Sequence, residues 1–171
     1  MQKLTLSLGV ILGVFLLSPN QPSIAENVKV PLPSNAPLEL DLLANPTASV
    51  VTVDTISQKD ISIPSLWWFQ ESSPNKLIAN WIAYTGKNNY PRRVDLIVNE
   101  QIWTLLNELE RYDFVNRLGN YVREYNYNIR VFNYQQELLA TYTCNFQISP
   151  SLCNIQMSFP TQNKATTKLA N

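Results

Sequence analysis

Histidine is absent from all 171 residues. The usual general base near neutral pH and the commonest metal ligand are both missing. Zinc sites built on imidazole, Ser-His-Asp triads and Cys-His dyads are thereby excluded. Charge is also scarce: 13 Lys and Arg stand against 13 Asp and Glu, 15% of the chain together. No basic run exists, which argues against a nucleic-acid partner, because phosphate recognition needs a positive face. The same balance disfavours electrostatic attachment to an anionic membrane. A glycine-rich phosphate loop, an EF-hand loop and a serine nucleophile elbow are all lacking. After the first 25 residues no apolar run reaches the roughly 18 residues that a membrane-spanning helix requires.

What the chain does have begins at its N-terminus. Lys3 precedes an uncharged, mainly apolar run from Leu4 to Leu17, then a polar stretch from Ser18 to Pro22, then Ser23-Ile24-Ala25. This is a short positive region, an apolar region too short to span comfortably, and a small-x-small cleavage site. Residues 1–25 therefore read as a signal peptide, with the mature chain starting at Glu26 and no membrane segment left after cleavage. Removing 25 of 171 residues leaves 146, enough for one domain with its own core. Export also sets the redox surroundings of the only two cysteines, Cys144 and Cys153.

Residues 26–46 carry Pro31, Pro33, Pro37 and Pro46 with no helical or alternating period, and read as an extended, partly disordered N-terminal arm. Residues 47–159 read as one globular domain, and 160–171 as a polar, fraying tail. Within the domain, the stretch Ala48 to Ile56 turns β-branched and signals a strand. Pro64 to Phe69 forms a dense apolar turn. Leu77–Tyr84 and Arg93–Val98, on either side of a Gly/Asn/Pro turn, suggest a hairpin, although the first arm suits a short helix equally. From Glu100 to about Tyr125 the period is helical: Asn99 is the cap, and Ile102, Leu105, Leu106 and Leu109 form a stripe. A kink near Tyr112-Asp113 leads to a second stripe of Phe114, Val115, Leu118 and Val122. From Ile129 the period becomes two. Leu138, Ala140, Tyr142 and Cys144 fall on one face and Thr141, Thr143 and Asn145 on a wet outer one.

Cys144 and Cys153 each sit on the apolar face of a strand flanking one turn, so a disulfide across the terminal hairpin is expected. A four-residue turn would place Cys144 opposite Ile155, and the bond therefore requires a wider or bulged connection. The eight intervening residues are not the two of a thioredoxin-like motif, which favours a structural bond over a reactive thiol.

Three constellations are candidates for chemistry. Glu108, Glu110 and Asp113 cluster on the helical segment, and paired carboxylates hydrolyse glycosides without histidine; interleaved Arg111 and Arg117 favour an ordinary solvated face. Tyr121, Tyr125, Tyr127 and Tyr134, set among asparagines, form a candidate binding surface for saccharide or protein, with core packing as the plainer account. Trp67, Trp68, Trp81 and Trp103 invite the same two readings. Arg92 and Arg93, adjacent in a turn, are able to hold a carboxylate or phosphate, against simple turn polarity.

The strings Ile63 to Trp68, Asn80 to Tyr84, Arg93 to Trp103, Val131 to Ala140 and Tyr142 to Asn145 resemble a group of small exported cyanobacterial proteins of unknown function. The likeness covers about residues 60–158. It implies periplasm or thylakoid lumen as the destination and supplies no catalytic residues. Taken together, the expected fold is α+β: an antiparallel sheet with two helices over about 100–125 packed on one face and a disulfide-closed C-terminal hairpin. A parallel crossover between Val94–Val98 and Ile129–Phe132 stays open. The expected function is a non-enzymatic exported accessory or binding module, without metal or cofactor, whose partner is a protein or saccharide. The alternative is a carboxylate-dependent hydrolase acting on polysaccharide or cell-wall material.

Overall fold

Alternating and continuous apolar runs in this chain build one six-stranded sheet. The computed structural model describes residues 29–55, 66–86 and 92–158. The segment read as a signal peptide, the Pro64 turn start, most of the turn before Arg92 and the C-terminal tail lie outside the described residues. The strands are β1 (Val50–Thr52), β2 (Ile78–Tyr84), β3 (Arg93–Val98), β4 (Asn128–Phe132), β5 (Leu138–Asn145) and β6 (Leu152–Met157), and their spatial order follows the sequence. All neighbouring pairs are antiparallel except β3 and β4, which run parallel. The 77–98 segment is thus the expected hairpin, and its first arm is a strand. The crossover admitted as an alternative is the one that occurs. It explains why every residue of β3 is buried: a central parallel strand is covered on both faces.

The crossover consists of α3 (Glu100–Leu105) and α4 (Glu108–Arg123). Asn99 caps α3, its Oδ1 accepting from the amides of Gln101 and Ile102. The break between the helices differs from the kink expected at Tyr112-Asp113. It falls at Leu106-Asn107, where Leu106 is extended and Asn107 and Glu110 form a reciprocal capping box. Satisfying two orphan amides there outweighs continuing the leucine period. Leu105 and Leu109, expected in the buried stripe, are accordingly 79% and 75% exposed. Asp113 makes an exposed ion pair with Arg117 at 2.9 Å. The second stripe is as expected: Phe114, Val115, Leu118 and Val122 are buried against the sheet. The short helix α2 (Trp67–Ser72) buries none of its residues, so Trp67 and Trp68 face water rather than the core.

Cys144 and Cys153 are disulfide-bonded directly across the β5–β6 ladder. The strands pair Asn145 with Leu152, leaving six residues in the connection, which is the wider turn the bond requires.

The opposite face of the sheet holds the main departure from expectation. Thr141 and Thr143, assigned to a wet outer face, are buried. The described part of the proline-containing arm lies over that face. It contributes α1 (Asp41–Ala44) and packs Leu38, Leu40, Leu42 and Leu43 against Val50, Ile82, Tyr84, Ile97 and Phe132. Removal of these leucines from water, Leu38 fully and the other three in part, is the driving force that docks a segment whose regular structure is a single helical turn.

Candidate functional site

Strand parity determines what lies beneath the arm. On β3, Val94, Leu96 and Val98 face the helices, which sends Arg93, Asp95 and Ile97 to the arm side; on β4 the same alternation sends Arg130 and Phe132 there. Parallel register places Asp95 beside Arg130. Asp95 is 0% exposed, Arg93 2% and Arg130 3%. Arg130 grips the carboxylate with two nitrogens, Nε to Oδ1 at 2.8 Å and Nη2 to Oδ2 at 2.6 Å, while Arg93 Nε donates to Oδ2 at 3.3 Å. Bidentate guanidinium–carboxylate geometry of this kind is the strong form of the interaction.

The third nitrogen of Arg130 fastens the arm. Nη1 donates to the carbonyl oxygen of Ser34 at 3.1 Å and to that of Ala36. Farther along, Tyr84 donates its hydroxyl to Glu39 Oε2 at 3.0 Å, and the Arg93 guanidinium stacks 3.8 Å from the centroid of the Tyr84 ring. Burial, the nearby Asp95 charge and the bond to Glu39 push the Tyr84 phenol well above its ordinary value.

The cluster carries two buried cations and one buried anion. Glu39 is solvent-exposed, so water screens its charge. Among the described residues one positive charge is therefore uncompensated in the interior, and Arg93 is the residue that shows it: its Nη2 is buried with no hydrogen-bond partner among them. Thr141 Oγ1, on the same face, is likewise unpartnered. Adjoining the cluster is a cavity of about 290 Å³, walled by Pro31, Leu32 and Ser34 of the arm and by Arg93, Asn128, Ile129, Arg130 and Thr143 of the sheet. A second hollow of about 400 Å³ lies beside the disulfide, with Lys29, Asn145 and Gln147 in its walls, and shares Pro31 with the first.

The residues singled out in the sequence are dispersed. Arg92 and Arg93 separate: Arg92 is exposed and bonds the Tyr125 carbonyl at 3.2 Å, with its guanidinium 5.6 Å from the Tyr127 ring. Tyr121 and Tyr125 do come together, 6.0 Å apart, and Phe69 of α2 extends the row, 5.5 Å from Tyr121. Tyr127 is fully buried, and Tyr134 lies elsewhere, accepting from Asn80 Nδ2 at 3.0 Å. Glu110 is engaged in the cap of α4. Asp95 and Arg130 went unnoticed in the sequence. Their signal was a charged residue in mid-strand between apolar neighbours, Val94-Asp95-Leu96 and Ile129-Arg130-Val131.

Among the described residues, no three His, Cys, Asp or Glu side chains gather closely enough to hold a metal ion, and no helix is long and apolar enough to cross a membrane. No protein-family model, curated protein or solved structure matches this chain.

Proposed function

We propose that this chain is an exported, non-enzymatic binding module whose ligand enters the cavity between the N-terminal arm and the sheet. The observation that carries this reading is the composition of the cavity walls: guanidinium, amide, hydroxyl and apolar groups, with no carboxylate among the described lining residues. Such walls orient a ligand and lack a group with which to move its protons. Asp95, the nearest carboxylate, has both oxygens engaged by guanidinium groups, so it is a structural anion. The leader-like N-terminus and the resemblance to exported cyanobacterial proteins support a periplasmic or lumenal setting, and the disulfide accords with an oxidising one.

The test pairs binding with turnover. The mature protein is screened by thermal shift against small anions and soluble saccharides, then incubated with polysaccharide and cell-wall substrates. The expected result is ligand-dependent stabilisation with no product. Product formation abolished by Glu108→Gln or Glu110→Gln would instead establish the hydrolase.

A further inference from the structure

We propose that the cavity beside Arg93 is a binding site for a small monocarboxylic acid, whose carboxylate is held by Arg93 Nη2. This rests on the binding-module reading above and names its ligand class. Four observations converge on it. Arg93 lines the cavity and is almost wholly buried, yet one of its nitrogens has no partner. A buried donor left unpaired on a cation is costly, and native structures rarely tolerate it without a ligand or ordered water in place.

The charge count then selects the ligand. Arg93, Arg130 and Asp95 sum to one positive charge, which a monoanion balances. A phosphate dianion would overshoot and set two negative charges beside Asp95 in a poorly solvated site. The planar fork of a guanidinium matches a carboxylate.

The walls select the rest of the molecule. Thr143 and Asn128 add hydrogen-bonding side chains, whereas Pro31 and Leu32 of the arm offer apolar surface for a short hydrocarbon body. A volume of about 290 Å³ is at the small end for ligand sites, which excludes polymers and large cofactors.

The arm completes the site. Arg130 spends one edge on Asp95 and its remaining nitrogen on the carbonyls of Ser34 and Ala36. It therefore holds the roof in place while Arg93 keeps a nitrogen for the ligand. One arginine is structural and its neighbour is poised.

The experiment uses the mature, disulfide-intact protein labelled with ¹⁵N and titrated with hexanoate. Hexanamide and inorganic phosphate serve as controls. The expected result is a saturable shift of the Arg93 Nε–H resonance and of the amides around Asn128 to Arg130 and Thr143, absent with hexanamide and weaker with phosphate. Arg93→Gln should weaken binding by about tenfold or more. Because that substitution disturbs a buried cluster, Thr143→Val provides a second variant that leaves all three charges in place, with an expected loss of about two- to tenfold. Equal response to hexanoate and hexanamide, tighter binding of phosphate, or full binding by both variants would overturn the assignment. If hexanoate is silent while another ligand stabilises the protein without turnover, the carboxylate site falls and the binding module stands. If hexanoate binds at Arg93 and hexanoyl esters are cleaved there, the site stands and the non-enzymatic reading falls.

Discussion

Replacing Asp95 by asparagine isolates the electrostatic logic of the buried face. The side chains are nearly isosteric, so packing is preserved and the change is one of charge and donors. Asp95 receives three hydrogen bonds from two guanidinium groups, at 2.6, 2.8 and 3.3 Å, in a position with no solvent access. In Asp95→Asn one oxygen remains to accept, the new NH₂ confronts a guanidinium donor, and two cations are left facing each other. Removing one partner from a buried ion pair typically costs about 3–5 kcal/mol, and full burial of this cluster places it in that range. For a domain of this size the melting temperature should fall by on the order of 10–20 °C. Urea unfolding of the protein from Glu26 onward at neutral pH, with the slope checked for constancy, measures the loss directly. The double variant Asp95→Asn/Arg93→Gln should be more stable than Asp95→Asn alone, because it removes the surplus cation. A loss below about 1 kcal/mol in the single variant would refute the reasoning, since exposed ion pairs are worth about that little.

Three further outcomes follow from the same structure. Gly119→Ala should destabilise by about 1–2 kcal/mol in urea unfolding although alanine is the better helix former: its Cβ would collide with Cδ2 of Tyr142, and that ring is buried and bonded to Asn120, so overpacking outweighs the roughly 1 kcal/mol of propensity. Cys144→Ser/Cys153→Ser should cost about 2.5–3 kcal/mol for a separation of 9 residues, read by unfolding with and without reductant. Tyr84 binds its proton more tightly folded than unfolded, so stability is intact below the ordinary tyrosine value near 10 and declines as pH rises above it. Tyr84→Phe should flatten that alkaline decline, measured as melting temperature against pH.

Much of the helix-facing side was legible in the sequence, because period and hydrophobicity agree there. Phe114, Val115, Leu118 and Val122 sit on α4 as their spacing requires, and Tyr142 and Cys144 follow the strand alternation. Where two local signals competed, the weaker-looking one prevailed: the leucine period through Leu105 and Leu109 yielded to the Asn107–Glu110 capping box, a four-residue pattern easily overlooked within a longer stripe. The arm side was largely illegible. Thr141 and Thr143 look solvent-facing because polarity on alternate residues ordinarily means water; both are buried, on the face that the arm covers, where Pro31, Leu32 and Ser34 share cavity walls with Thr143. The candidate site was half visible. Arg93 drew notice as part of a basic pair, but its partners Asp95 and Arg130 are 35 residues apart and meet only through the parallel β3–β4 register, which periodicity does not encode.

Crystals of the protein from Glu26 onward, soaked with hexanoate, offer the most direct test of the proposed arm-covered anion site. The prediction is a carboxylate in the 290 Å³ cavity with an oxygen within hydrogen-bond distance of Arg93 Nη2. An empty cavity at saturating hexanoate, with Arg93 Nη2 instead bonded to a protein group, would contradict it.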